Sequence, residues 1–322
     1  MAKIVVLGTG GTIASRERGG AGATATLSIA DIASTLDIGT DVRDVMTIGS
    51  YRLTLGQMRT IATAAISAAA EDDVAGVVVT HGTDTIEETA YLAALSHRGA
   101  APIVFTGAQF AADQPSPDGH RNLRDAVEFA RSPLLRGAGV GIAFGGELHS
   151  ARGTRKMHST HPQPFRGGVL LARRSGDGVS LHASARPEPI VLQPDERLDL
   201  VVVDMVMSYP GADTMLFAAA AARADAVVLV GTGAGNAGPG FAESVAEATA
   251  SGTPVILASR TFDGPVTPIY GNGGGVDLVR AGAISAGELS PPQARILAAV
   301  LLATDPGPDR SPFPERFARH AS

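Results

Sequence analysis

Residues 77–91 read VVVTHGTDTIEETAY. The first three residues are β-branched and apolar, the pattern of a strand buried on both faces. Thr80, His81 and Gly82 break the run. From Thr85 onward the apolar positions recur at helical spacing, and Glu87 and Glu88 suit a helix N-terminus. A buried strand, a Gly-containing loop and a helix form one unit of a parallel sheet. The loop between them holds two hydroxyls and a carboxylate, Thr83, Asp84 and Thr85. Each of the three is a good helix cap, and one cap would suffice. Three together, beyond the C-terminal end of a strand, mark the place where open parallel sheets bind ligands.

The same unit recurs on both sides. Toward the N-terminus, Lys3–Gly8 is an apolar strand that runs into Gly8-Thr-Gly-Gly-Thr12-Ile-Ala-Ser15. Its glycines let backbone N–H groups turn toward a bound oxygen, and Thr12 adds a hydroxyl. On its own this loop fits a nucleotide site, a tight turn or a nucleophile equally. The dinucleotide fingerprint is incomplete, because Ile13 stands where its third glycine belongs. Helices are expected over Ser28–Leu36, over Thr54–Ala70 with Thr54 as cap, and over Thr85–His97. Pro102–Thr106, Asp118–Arg131 and Ala138–Phe144 continue the alternation. Leu148–Gly168 turns polar and basic and reads as a loop. Residues 185–197 (ARPEPIVLQPDER) are rich in Pro and charge, as a linker is. Alternation then resumes with strands over Asp199–Met205, Ala226–Val230 and Pro254–Ala258, and helices over Asp213–Arg223, Phe241–Ala250 and Pro291–Thr304. The charged stretch Arg310–His320 reads as a solvated tail.

The fold expected is therefore α/β. A larger N-terminal domain (residues 1–185) has a parallel-rich sheet with helices on both faces. A linker (186–198) leads to a smaller C-terminal α/β domain (199–322). The chain has 322 residues, 44% hydrophobic and 18% charged, enough to bury two cores. Its net charge of -6 does not attract phosphate backbones, so nucleic acid is not an expected partner. Cysteine is absent, which excludes disulfides, thiolate metal sites and cysteine nucleophiles. No apolar stretch is long enough to span a bilayer, and no secretory leader precedes the first strand, so a cytoplasmic location is expected. His149, His158 and His161 match no metal-site spacing and read as solvated loop residues. His81 reads as a residue that orients its loop by hydrogen bonds.

GTGGTIAS together with VVVTHGTDTIEETAY resembles the paired signatures of the bacterial-type L-asparaginases. PIVFTGAQ, ARGTRKMHST, LVGTGAGNAGPG and VILASR extend the similarity along nearly the whole chain. The resemblance implies an amidohydrolase that converts L-asparagine to L-aspartate and ammonia through a threonine acyl-enzyme. It implies Thr12 as nucleophile and Thr83, Asp84 and Lys156 as a second catalytic triad. It places Gly11, Ser50, Tyr51 and Asn236 on the substrate side, with Ser50 toward the substrate's carboxylate and Asn236 toward a neighbouring subunit's site. It further implies a homotetramer of two intimate dimers, and no metal or organic cofactor. A threonine hydroxyl needs a base, and lysine serves as one only where burial or positive neighbours ease loss of its proton. The competing readings are an amidohydrolase acting on glutamine or another amide, a transfer-RNA-linked amidotransferase component, a binding homologue without turnover, and a dinucleotide oxidoreductase.

The chain departs from its relatives at three places. Arg16–Leu27 carries no lid tyrosine. Tyr51 stands where Gln or Glu usually holds the α-amino group. The stretch from Thr267 contains no acid before Asp277.

Overall fold

The computed structural model describes residues 3–17, 23–25, 29, 41–176, 178–184, 192–304 and 312–321. The helix expected over Ser28–Leu36 lies outside them apart from Ile29, as does most of Arg16–Leu27. Two compact units divide the chain, Met1–Val191 and Leu192–Ser322.

The first unit opens with β1 (Lys3–Gly10), the short hairpin β2 (Ser15–Glu17) and β3 (Ala23–Ala25), then β4 (Asp41–Ile48). Helix α1 (Leu55–Ala69) follows, and β5 (Val74–Thr80) leads into α2 (Ile86–Ser96). Then come β6 (Ile103–Thr106), α3 (Gly119–Arg131) and β7 (Val140–Phe144). The order β4-β1-β5-β6-β7 forms a parallel core. Three antiparallel strands extend it, β8 (Glu147–Ser150), β11 (Leu170–Ser175) and β12 (Gly178–Leu181). A separate two-stranded ribbon pairs β9 (Thr154–Lys156) with β10 (Phe165–Gly167).

The parallel strands are covered on both sides. Ile4, Val6, Val78 and Val104 meet Leu123, Ala126 and Val127 of α3 in one core. The alternate residues Val5, Leu7, Val77, Val79 and Phe105 are equally buried and point to the other face, where α1 and α2 pack. Each such buried aliphatic side chain contributes roughly 1.5–3 kcal/mol. Helix α1 starts where the sequence indicates, with a reciprocal capping box between Thr54 and Gln57.

The segment 148–168, read as a loop, instead contributes β9, β10 and most of β8, so that expectation is corrected. These strands have three or four residues and a polar composition. Backbone pairing and the buried Phe165 hold them, and no apolar alternation announces them.

The second unit is built on the parallel sheet β13 (Val203–Met207), β14 (Ala226–Gly231), β15 (Val255–Ser259) and β16 (Ile284–Ser285). Its helices are α4 (Met215–Ala221), α5 (Phe241–Ala250), α6 (Gly275–Arg280), α7 (Pro291–Ala303) and α8 (Phe313–Ala321). Phe217, Phe241, Val245, Leu229 and Leu257 form its core. The solvated tail expected at Arg310–His320 is a second correction. Its described part forms α8, which buries Phe317 and His320 and packs on α7. Among the described residues no helix is long and apolar enough to cross a membrane.

Candidate active site

Loops at the C-terminal ends of β1, β4 and β5 meet around one cleft of about 300 Å³. Gly11, Thr12, Ser50, Tyr51, Thr83 and Asp84 are among its lining residues. Glycine makes this approach possible. Gly11 has φ +81°, and a Cβ there would lie 2.5 Å from the backbone nitrogen of Gly82. The first and third loops therefore touch backbone to backbone, which brings Thr12 and Thr83 to the same cleft. Thr9 fixes the two strand ends by donating its hydroxyl to the Thr80 carbonyl, at 2.8 Å. Thr85 donates to the Ser50 carbonyl at 3.0 Å, so it ties the third loop to the second. Its side chain does not cap α2.

Lys156 arrives from the last position of β9. Its Nζ lies 2.8 Å from Thr83 Oγ1 and 2.7 Å from Asp84 Oδ1. The lysine side chain is only 15% exposed, whereas Asp84 is 56% exposed. This pair therefore sits at the wall of the cleft, with its acid open to solvent. Thr83 in turn donates toward Gln109 Oε1 at 3.5 Å. The structure thus brings Thr83, Asp84 and Lys156 into direct contact and places Thr12, Gly11, Ser50 and Tyr51 on the same cleft. Asn236 lies in the second unit, where its Oδ1 accepts a hydrogen bond from Gly275 N at 3.0 Å.

Two supports of the site are not apparent in the sequence. The first is Glu87, in the first turn of α2. Its carboxylate is buried and accepts the backbone N–H of Lys156. It clamps the main chain of the residue whose side chain meets Thr83 and Asp84. Burial raises its pKa to about 7, while the bond from Lys156 works in the opposite direction. The sequence suggests only an acid favourable to the helix dipole. The second support is Asp118, which accepts the N–H groups of Gln109 and Phe110 and an amide hydrogen of Asn122. Asn122 also donates to the Gly107 carbonyl, so the loop after β6 that carries Gln109 is fixed from within.

His81 is fully buried and its Nδ1 donates to the Gly82 carbonyl at 2.8 Å. Burial lowers its pKa to about 4. Its Nε2 has no partner among the described residues. A neutral imidazole locked to its own loop is a structural element there. His158 and His161 lie on the surface, while His149 is half-buried and pairs with Glu147 at 3.2 Å. Among the described residues no group of three His, Cys, Asp or Glu could hold a metal ion.

Fold and site together define a two-unit α/β protein with a threonine–lysine–aspartate cluster at the C-terminal edge of a parallel sheet. Residues 3–185 match the family described as Asparaginase, N-terminal, and residues 202–311 match the Glutaminase/Asparaginase C-terminal domain. The chain belongs to the asparaginase family. It is 40% identical over 230 residues to a protein of Deinococcus radiodurans named "Probable L-asparaginase", a stretch covering 70% of each chain. It is 31% identical over 320 residues to the L-asparaginase of Bacillus licheniformis, covering 94% of this chain and 96% of that one. The crystal structure of a "Probable Cytoplasmic L-asparaginase" from Campylobacter jejuni superposes with a TM-score of 0.85 at 25% identity. That match covers 100% of this chain and 99% of the other.

Proposed function

We propose that the protein is an L-asparaginase that hydrolyses the side-chain amide of L-asparagine to L-aspartate and ammonia. The observation that carries this reading is Lys156 Nζ in contact with both Thr83 and Asp84, beside a cleft that also presents Thr12. Thr12 Oγ attacks the amide carbon, and its proton goes to the departing nitrogen. The C–N bond breaks, ammonia leaves, and the aspartyl group is held as an ester on Thr12. Water then attacks that ester, the bond from the acyl carbon to Thr12 Oγ1 breaks, Lys156 and Thr83 relay the water's proton to Thr12 Oγ1, and aspartate leaves. Backbone N–H groups of the loops that carry Thr12 and Thr83 stabilise the oxyanion of both steps. Gly11, Ser50 and Tyr51 contact the substrate.

A second reading has one specific observation in its favour. Lys156 is bonded to Thr83, so Thr83 is the hydroxyl that the base reaches directly. Thr12 is preferred because its loop matches the nucleophile segment of the relatives the chain resembles.

The quaternary reading is a homotetramer in which Asn236 serves a neighbouring subunit's site. The domain reading is catalytic residues 1–185, linker 186–198 and C-terminal domain 199–322. A cytoplasmic location is supported by the name of the Campylobacter relative. The test is ammonia release from L-asparagine and L-glutamine by the purified chain. Release from asparagine at a saturable rate is expected. A folded protein that releases ammonia from neither amino acid overturns the reading.

A further inference from the structure

The Thr83 hydroxyl has one hydrogen, and its neighbours decide where it points. Lys156 Nζ stands 2.8 Å from Thr83 Oγ1. An ammonium can only donate, so the threonine oxygen accepts there and its own hydrogen goes elsewhere. The side chain that takes it is Gln109, whose Oε1 lies 3.5 Å from Thr83 Oγ1. That bond is long, as catalytic hydrogen bonds often are before substrate tightens the site. The hydrogens thus run from Lys156 to Thr83 to Gln109, all directed away from the lysine.

The sheet and a buried acid aim Gln109 at this hydroxyl. Thr106 and Thr80 pair at the ends of β6 and β5, and the His81 N–H reaches the Thr106 carbonyl at 2.8 Å. Gly107 lets the chain follow closely, because a Cβ there would collide with the His81 carbonyl oxygen. Asp118, 3% exposed, then holds the main chain by accepting the N–H groups of Gln109 and Phe110. The other end of the amide is Nε2, which is buried and has no hydrogen-bond partner among the described residues. A buried donor left unused costs free energy. A half-turn of the amide puts it to use, because Nε2 then faces Thr83 Oγ1 and donates to it. This second arrangement suits the relay itself. With the lysine neutral, the Thr83 hydrogen points to Nζ and the threonine oxygen is left to accept. Water's proton arrives at Thr83 Oγ1 as Thr83's own passes to Nζ, and the lysine gives one on to Thr12 Oγ1.

We infer that Gln109 is a positioning residue of this relay. Its amide accepts the Thr83 hydrogen while Lys156 is an ammonium, and donates to the Thr83 oxygen while the proton is in transit. It acts through Thr83 and not through the substrate. This inference rests on the asparaginase reading above.

The test measures kcat and KM for ammonia release from L-asparagine by the wild-type chain, Gln109→Met and Gln109→Leu. Each substitution is also made in the Thr83→Ala chain, and every variant is checked for an unchanged thermal melt. Methionine keeps the length of the side chain without a donor or a strong acceptor, and the bonds to Asp118 come from the main chain, so the loop stays in place. The expected result is a kcat at least about tenfold lower with KM within about twofold of the wild type, as loss of an interaction made during the chemical step requires. In the Thr83→Ala chain the same substitutions are expected to change kcat by less than about twofold, because the group they act through is gone. A wild-type kcat in both Gln109 variants overturns the inference and leaves the asparaginase reading standing. So does a loss confined to KM, or a loss of kcat just as large in the Thr83→Ala chain. Absence of ammonia from the folded wild-type chain overturns both.

Discussion

Lys156→Ala lowers kcat for ammonia release at least about a thousandfold, equivalent to about 4 kcal/mol of transition-state stabilisation, while the protein stays folded. Among the described residues the lysine is the one ammonium in contact with a threonine hydroxyl of the cleft, at 2.8 Å, so its removal takes away the group that relays the proton. Its partner Asp84 is more than half exposed. An ion pair so open to water contributes about 1 kcal/mol or less to stability. Unfolding therefore does not explain a large loss of rate. Arginine is no substitute, because a guanidinium does not give up its proton at neutral pH and its planar head does not fit one hydroxyl and one carboxylate. Lys156→Arg is expected to be as slow as Lys156→Ala. Thr83→Ala acts through the same unit, so the double variant loses little beyond either single one. Steady-state ammonia release at saturating asparagine checks all three. Separate, additive losses would show that lysine and threonine do not act together.

Glu87→Gln makes the protein more stable at pH 8 by about 3 kcal/mol and changes little at pH 4. The carboxyl is buried, and burial raises its pKa from 4.5 to about 7 in the folded state. The sign follows from linkage. The favourable state is fully present below pH 4.5, where both folded and unfolded chains hold the proton. Between 4.5 and 7 the unfolded chain ionises first, and stability falls as pH rises through that window. Above 7 the cost is constant, at about 1.36 kcal/mol for each unit by which the folded and unfolded pKa values differ. A glutamine carbonyl still accepts the Lys156 N–H, so the clamp remains while the buried charge disappears. Glu87→Ala removes the clamp as well and leaves that N–H without its partner, which costs about 1–3 kcal/mol and loosens the seat of Lys156. Chemical denaturation at pH 4, 6 and 8 measures both effects. A Glu87→Gln difference that is flat across pH would show that the carboxyl is not held protonated by burial.

Much of this architecture is readable in the sequence because the physics is local. Runs such as Val77-Val78-Val79 admit little but a buried strand, and the glycines at 10, 11 and 82 stop each run where backbone must approach backbone. Thr54 and Gln57 announce a helix start by their own reciprocal bonds. The cluster Thr83, Asp84 and Thr85 is visible as an excess over what capping needs. The structure gives each hydroxyl its own task, Thr83 on Lys156 and Thr85 on the Ser50 carbonyl.

What the sequence hides depends on contacts between distant residues. Lys156 is one basic residue in a polar stretch until β9 pairs with β10 and Glu87, 69 residues away, takes its N–H. A glutamate in a first helical turn looks solvated, and its burial depends on the tertiary structure. Gln109 is likewise silent until Asp118 fixes its loop. The charged C-terminal stretch conceals an amphipathic helix. Phe313 and Phe317 stand one turn apart with ring centroids at 6.0 Å, and Phe317 and His320 turn inward.

On the proposed mechanism Thr12 carries the acyl group during turnover. The direct measurement is peptide mapping by mass spectrometry after acid quench of the enzyme during asparagine turnover. The expected result is an aspartyl ester on the peptide that contains Thr12, with no adduct and no ammonia from Thr12→Ala. An aspartyl ester on Thr83, or undiminished ammonia release by Thr12→Ala, would contradict it.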